Sequence, residues 1–235
     1  MKAPVGGWGG ISMHRGYKIS IVIPCYNEQE GVQHVIRSLP PSVDEIVVVD
    51  NNSTDRTAEV AAALGAKVVS EKRKGYGAAY KAGLPAATGD ITVTMDGDGS
   101  YPTDQIEEVI DYLADNDLDF VSASRFPLQN PEAMTFTNKI GNMILTVSML
   151  LLFGKSIRDS QSGMWVYRTR IYPLLTLTSD GMPLSEEIKI EAIRSTKIRF
   201  GECHIKYHQR IGDVKLEKWR DGFRNLLFLL KKRFQ

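Results

Sequence analysis

Asp96-Gly97-Asp98 places two carboxylates one residue apart, directly after the β-branched run Asp90–Met95. Gly89 precedes that run, and Gly97 and Gly99 interrupt the chain just after it, so it reads as a buried strand ending in an acidic turn. Such a strand presents oxygen donors at the carboxyl edge of a sheet, where open α/β folds bind ligands. Two hard oxygen ligands there suit Mg²⁺ or Mn²⁺ held against phosphate. A bare Asp-Gly turn without chemistry is the alternative, and the neighbouring motifs weigh against it.

Two other expected strand ends carry polar groups, Tyr26-Asn27-Glu28 and Asp50-Asn51-Asn52. In a parallel sheet all three ends lie on one side, and their loops converge on one crevice. Lys72-Arg73-Lys74-Gly75-Tyr76-Gly77 adds positive charge and two glycines before a helix start, which suits an anionic ligand. The loop is not a Walker A sequence, since the Gly-Lys-Ser/Thr ending is missing. The first strand–helix turn, Pro24-Cys25-Tyr26-Asn27-Glu28, lacks the glycines of a dinucleotide fingerprint. Acidic strand ends facing a basic loop point to a nucleoside diphosphate bridged by a metal.

The elements that must position these groups alternate. Strands are expected at Ile19–Pro24, Glu45–Asp50, Ala66–Ser70, Asp90–Met95 and Phe120–Ser124. Helical spacing runs through Val32, Val35 and Ile36, through Val60 and Leu64, over Gly77–Ala86, and over Asp104–Leu113. Continuous apolar strands alternating with helices indicate an α/β fold with a mainly parallel, doubly wound sheet. The chain has 235 residues, 43% hydrophobic and 24% charged, enough for one large domain. A net charge of +1 argues against a nucleic-acid partner. Two cysteines, Cys25 and Cys203, form neither a metal spacing nor a disulfide framework, so a reducing, cytoplasmic setting is expected. Cys25 could be proposed as a nucleophile, but no base can be assigned to it, so it reads as a small residue packed in a loop.

Residues 1–17 read as a flexible extension without a signal peptide, and 18–235 as a single domain. Its expected parts are a nucleotide-sugar half (18–124), an acceptor half (125–218) and a basic amphipathic helix (219–235). Ile140–Phe153 is apolar but shorter than the ~18–20 residues that span a bilayer, so no crossing is expected.

Ile21–Glu28, Val47–Asp55 and Met95–Asp98 together resemble family 2 glycosyltransferases of the GT-A fold. Ser124-Arg125-Phe126, Asp159–Met164, Ser185-Glu186-Glu187 and Arg210–Leu216 resemble the dolichol-phosphate (polyprenyl-phosphate) mannosyl- and glucosyltransferase branch, over Lys18 to Arg224. The resemblance implies an inverting, metal-dependent transfer of a hexose from GDP-mannose or UDP-glucose to a polyprenyl phosphate. It implies that Pro24, Tyr26, Glu28, Asp50 and Asn52 line the nucleoside pocket, with Lys74 and Gly75 beside the phosphates. Asp96, Gly97 and Asp98 would meet donor and metal, with Ser100 as a third metal ligand. Arg125, Arg210 and Lys215 would meet phosphate charge, and Asp159 would face the acceptor. Asp96, Asp98, Asp159 and Arg210 are thus the expected catalytic set. The same donor chemistry on a soluble or glycan acceptor, or a non-catalytic nucleotide-sugar-binding subunit, are the competing readings.

Asn51-Asn52 replaces the Asp-Gly common to the family, which leaves the base of the donor open. Larger members add C-terminal transmembrane helices that are not seen before Gln235, so peripheral membrane contact or a membrane partner protein is expected. The apolar helix reads equally as lipid-facing or as core. The segment Trp219–Phe234 reads equally as an interfacial helix or as a packed one with a solvated basic end. Glu186-Glu187 reads as a solvated helix start or a pocket pair. His204 and His208 lie in an alternating segment and are not expected to bind metal.

Overall fold

The computed structural model describes residues 13–212 and 218–234. β1 (Ile19–Cys25), β2 (Glu45–Asp50), β3 (Lys67–Ser70), β4 (Ile91–Thr94), β5 (Phe120–Ser124), β6 (Trp165–Arg168) and β7 (Phe200–His204) form one sheet in the order β3-β2-β1-β4-β6-β5-β7. β6 alone runs antiparallel to its neighbours, wedged between β4 and β5. The expected mainly parallel α/β sheet is therefore what forms.

Alternation along β1 sends Ile21 and Ile23 to one face and Val22 to the other. Both faces are covered, which is why the strand reads as a continuous apolar run. On the first face lie α1 (Gln29–Ser38), α2 (Thr57–Ala63) and α4 (Ile106–Asp115), presenting Val32, Val35, Ala61, Val109 and Ile110. On the second lie α3 (Tyr76–Gly83) and α6 (Leu184–Arg194), whose Ala79, Tyr80 and Ile188 pack with Val47, Trp165 and Tyr167.

α5 (Phe136–Phe153) and α7 (Lys218–Arg233) pair with each other at the flank of α6 through Leu145, Met149, Ile190 and Leu229. α5 starts four residues earlier than the apolar run suggested, capped by the Thr135 hydroxyl, and reaches 18 residues. By length and apolar composition it is the one helix among the described residues long enough to cross a membrane. Only Asn142, Leu145 and Met149 on it are buried, so it is not a core helix. Phe136 and Leu151 are 75% and 78% exposed. α7 buries Asn225, Leu229 and Lys232 while Phe223, Leu227, Leu230 and Phe234 remain outside.

Residues 1–12 of the expected extension lie outside the described residues. His14–Tyr17 already form a turn whose His14 ring lies 2.7 Å from Asp111 and whose Arg15 reaches Asp111 and Asp115 on α4.

Candidate active site

β1, β2, β4 and β5 all run in one direction, so Tyr26, Asp50, Asp96 and Arg125 emerge at the same carboxyl edge. β7 also points that way and delivers Tyr207 and Arg210, while antiparallel β6 begins there, after the 159–163 segment.

At the centre, Asp98 is buried and held in an Asx turn. Its Oδ1 accepts from the Ser100 N–H at 3.0 Å and the Ser100 hydroxyl at 2.6 Å. Its Oδ2 lies 3.4 Å from Arg210 Nη1, and Arg210 Nη2 donates to Glu28 Oε1 at 2.9 Å. Asp96 accepts from the Tyr76 hydroxyl at 3.2 Å. Burial, and then the neighbouring Asp98 charge, push the Asp96 carboxyl up to about 7. The two carboxylates form an all-oxygen donor pair, the chemistry a hard divalent cation takes. That observation makes Asp96 and Asp98 a fit for Mg²⁺ or Mn²⁺. Ser100 is fully buried, with its hydroxyl committed to Asp98.

The β1 and β2 loops are tied together by Asn27, whose Oδ1 accepts from the Thr54 N–H at 2.7 Å. Pro24 is the half-buried residue of β1, just before buried Cys25, and Asp50 Oδ1 accepts from the Ser53 N–H at 3.2 Å. Lys74 donates to the Tyr26 hydroxyl at 3.0 Å and rides 4.7 Å above the ring centre. Gly75 has φ +149°, and a Cβ there would collide with the Asp180 carbonyl, so only glycine fits. Its N–H donates to Asn51 Oδ1 at 2.8 Å, and Asn51 Nδ2 donates to the Glu71 and Arg73 carbonyls. Asn51 is thus the buried member of the pair that holds the basic loop, whereas Asn52 is exposed at φ +62°.

Residues 20–174 match the sequence model of glycosyl transferase family 2. The chain belongs to that family. The match also fixes it as a glycosyltransferase. It is 31% identical to the dolichyl-phosphate hexose transferase of Haloferax volcanii, over 87% of this chain and 89% of that one. It is 31% identical to the low-salt glycan biosynthesis hexosyltransferase Agl6 of the same organism, over 90% of this chain but only 53% of Agl6, about half its length. The UDP-N-acetylglucosamine–dolichyl-phosphate N-acetylglucosaminyltransferase of Methanococcus voltae is 31% identical over 80% of this chain and 84% of that one. Among solved structures, glucosyl-3-phosphoglycerate synthase from Mycobacterium tuberculosis, in complex with Mn²⁺, UDP and phosphoglyceric acid, superposes with a TM-score of 0.72 at 24% identity. That alignment covers 93% of this chain and 79% of the other, and shows the GT-A fold.

One expected position of the glycosyltransferase needs correction. Asp159 has no exposed surface and cannot face an acceptor. It accepts from Arg125 Nε at 2.7 Å, Nη2 at 2.9 Å and backbone N–H at 3.0 Å. Burial raises its pKa, but the Arg125 charge outweighs that and holds it down at about 2. It is the counter-ion behind Arg125, whose guanidinium packs 5.2 Å from the Tyr207 ring centre.

Glu186 and Glu187 are likewise fully buried rather than solvated. Glu187 accepts from Lys232 Nζ at 3.1 Å and from the Thr178 and Ser179 N–H groups, so it anchors α7. Lys215, with Asp213 and Val214 beside it, lies outside the described residues. Cys25 is a small packed residue, buried with its Sγ against Gly97.

Tyr76 and Tyr101 were not singled out by the sequence as site residues, and Asn51 was noted only within the polar strand end and as a departure from the family pattern. Tyr101 accepts from the Gly163 N–H at 2.6 Å, and a Cβ at Gly163 would strike the Tyr76 hydroxyl. Tyr76, Asp96, Tyr101 and Gly163 therefore form one close-packed cluster. Tyr76 carried a signal in its place next to the basic loop; Tyr101 carried none.

Proposed function

We propose that this glycosyltransferase moves a hexose from a nucleoside diphosphate sugar to a polyprenyl phosphate, with inversion at the anomeric carbon. The observation that carries the reading is the pair Asp96–Asp98 at the carboxyl edge, with Lys74, Arg125 and Arg210 around it. Phosphates at both ends of the reaction need cations, and carboxylates amid those cations suit a bridging metal. The acceptor class is supported by the relatives whose names specify dolichyl phosphate.

Pro24, Tyr26, Glu28, Asp50 and Asn52 line the nucleoside end, with Lys74 and Gly75 at the phosphates. Asp98, joined by Asp96, would hold Mg²⁺ or Mn²⁺, which supplies Lewis-acid stabilisation of the departing diphosphate. Ser100 orients Asp98 through its hydrogen bond. Arg210 Nε is buried without a partner among the described residues, which supports a role in receiving a phosphate oxygen. Arg125, braced from behind by Asp159, faces the acceptor phosphate. That phosphate oxygen is anionic at neutral pH, so orientation matters more than proton removal. Lys215 completes the phosphate-binding set.

The exposed faces of α5 and α7 bring the enzyme to its lipid substrate as a peripheral membrane protein on the cytoplasmic face. Arg220, Arg224, Lys231 and Arg233 are exposed between the outward-facing Phe223, Leu227, Leu230 and Phe234, and α5 has no acidic residue.

Calorimetric titration with GDP-mannose, UDP-glucose and UDP-N-acetylglucosamine, each with and without Mn²⁺, tests the donor. Metal-dependent binding of one donor, followed by transfer to a short polyprenyl phosphate, is the expected outcome. Binding without turnover on lipid phosphate, but with turnover on a soluble phosphorylated acceptor, would overturn the acceptor assignment. Flotation with anionic vesicles should lose most bound protein in a Leu151→Ser/Phe223→Ser variant, and equal flotation would remove the membrane reading.

A further inference from the structure

Lys189 lies on α6 with no exposed surface. Its ammonium donates to three backbone carbonyls, those of Asp159 at 3.0 Å, Ser160 at 2.8 Å and Ser162 at 2.8 Å. An ammonium group has three N–H bonds, and all three end on one four-residue segment. Carbonyl dipoles that converge on a point repel one another unless a cation sits between them, so this backbone shape depends on the Lys189 charge. Burial draws the amine down to about 8 even though Asp159 pulls the other way. A cation so costly to bury, where Met or Leu would fill the space, calls for a reason beyond packing.

The segment Lys189 grips is the one that holds Arg125. Asp159 gives both carboxylate oxygens to the guanidinium, and its Oδ1 also accepts from the Gln161 N–H at 3.2 Å. Ser162 donates its hydroxyl to the Ala123 carbonyl at 2.5 Å, two residues before Arg125. Asn142 on α5 accepts from the Gln161 N–H at 3.1 Å. These side-chain contacts restrain the segment from its rim, while Lys189 holds its carbonyls from within.

We propose that Lys189 is a positioning residue for sugar transfer. Its ammonium sets the 159–162 backbone so that Asp159 presents the Arg125 guanidinium to the acceptor phosphate. The inference rests on the reading of Arg125 given under Proposed function. Lys189 touches no substrate and acts only through Arg125. A merely structural lysine would instead lower stability and affect all substrates alike, whatever residue stands at 125.

The test uses the full chain in four forms: wild type, Lys189→Met, Arg125→Ala and the double variant. Donor affinity is measured by calorimetry, and the acceptor KM with a short polyprenyl phosphate. Arg125→Ala and Lys189→Met should each raise the acceptor KM by about tenfold or more, as for loss of a charge-assisted contact. Donor affinity should stay within about twofold, and the double variant should be no worse than Arg125→Ala alone. An unchanged acceptor KM in Lys189→Met beside an impaired Arg125→Ala overturns the inference alone, as does a double variant showing the product of the two effects. An unchanged acceptor KM in Arg125→Ala overturns the Arg125 reading and, with it, the inference. If Lys189→Met does not fold, Lys189→Gln, which keeps two N–H donors without the charge, is judged by the same comparison.

Discussion

Carboxylates gather at both edges of the sheet in very different company. At the amino edge, Asp44 accepts from the Ile19 N–H at 2.8 Å and Asp90 from the Lys18 N–H at 2.9 Å. Asp119 there accepts from the Arg199 N–H at 3.1 Å, Arg199 Nε at 3.0 Å and Arg170 Nη2 at 3.0 Å. Burial pushes its pKa up, but the Arg199 and Arg170 contacts outweigh that and leave it at about 2. At the carboxyl edge Asp96 has one tyrosine hydroxyl at 3.2 Å and a neighbouring carboxylate, and its pKa rises to about 7. Asp119, supplied by backbone and arginine donors, clamps the chain entering β5 to the chain entering β7. Asp96, with fewer donors, carries a charge that burial and its neighbour make costly, a cost that a bound cation would offset in the proposed reading.

The sharpest way to break this contrast is Asp98→Ala. Turnover should fall about 10³-fold, the scale of losing preorganised charge stabilisation at a leaving group. The thermal midpoint should fall by only a few degrees as the buried Ser100 donors lose their acceptor, too little to account for the lost turnover. Metal-dependent assays beside a melting curve decide it, and normal turnover would remove Asp98 from the site.

Arg210→Ala should cost about 10²-fold in kcat/KM, since one charge-assisted phosphate contact is lost and Glu28 and Asp98 lose a cation. Wild-type kinetics on both substrates would end its phosphate role. The effect is smaller than at Asp98 because Lys74 and Arg125 still contribute positive charge to the crevice.

This edge was largely legible from residue types. Short β-branched apolar runs located the first five strands, and an acidic or polar group after each of three marked the carboxyl edge where the candidate site lies. Burial was not legible. Asp159 and Arg125 are 34 residues apart in sequence, so nothing local showed that one carboxylate would be consumed by the other. Glu186-Glu187 has the look of a solvated helix start, and only the packing of α7 over α6 puts both carboxyls out of water. Asn51 and Asn52 are identical in type, and the positive φ at Asn52 decides which turns inward. The antiparallel placement of β6 depends on pairings more than 70 residues apart with β4 and more than 40 apart with β5, beyond any periodicity signal.

The amino edge should respond in the opposite way. Asp119→Asn should leave kcat/KM unchanged and lower stability by about 1–2 kcal/mol, since exposed Arg170 and Arg199 regain water when the clamp is lost. For a domain of this size that is a fall of about 2–8 °C in the thermal midpoint.

Its pH dependence has its origin in the same contacts. The Asp119 pKa of about 2 in the folded chain lies below the ~3.9 of an unfolded aspartate, so the unfolded state binds the proton first. The stabilisation is complete above about pH 4 and disappears as the pH falls towards 2. Wild-type urea midpoints should therefore drop across that window, and the drop should be shallower in Asp119→Asn by up to about 1–2 kcal/mol. Asp159, also held at about 2, keeps part of the slope in both proteins, so the difference between the two curves isolates Asp119. Parallel curves would mean that the arginines around Asp119 are as well served by water as by the carboxylate, and the contrast between the two edges would then rest on the crevice alone.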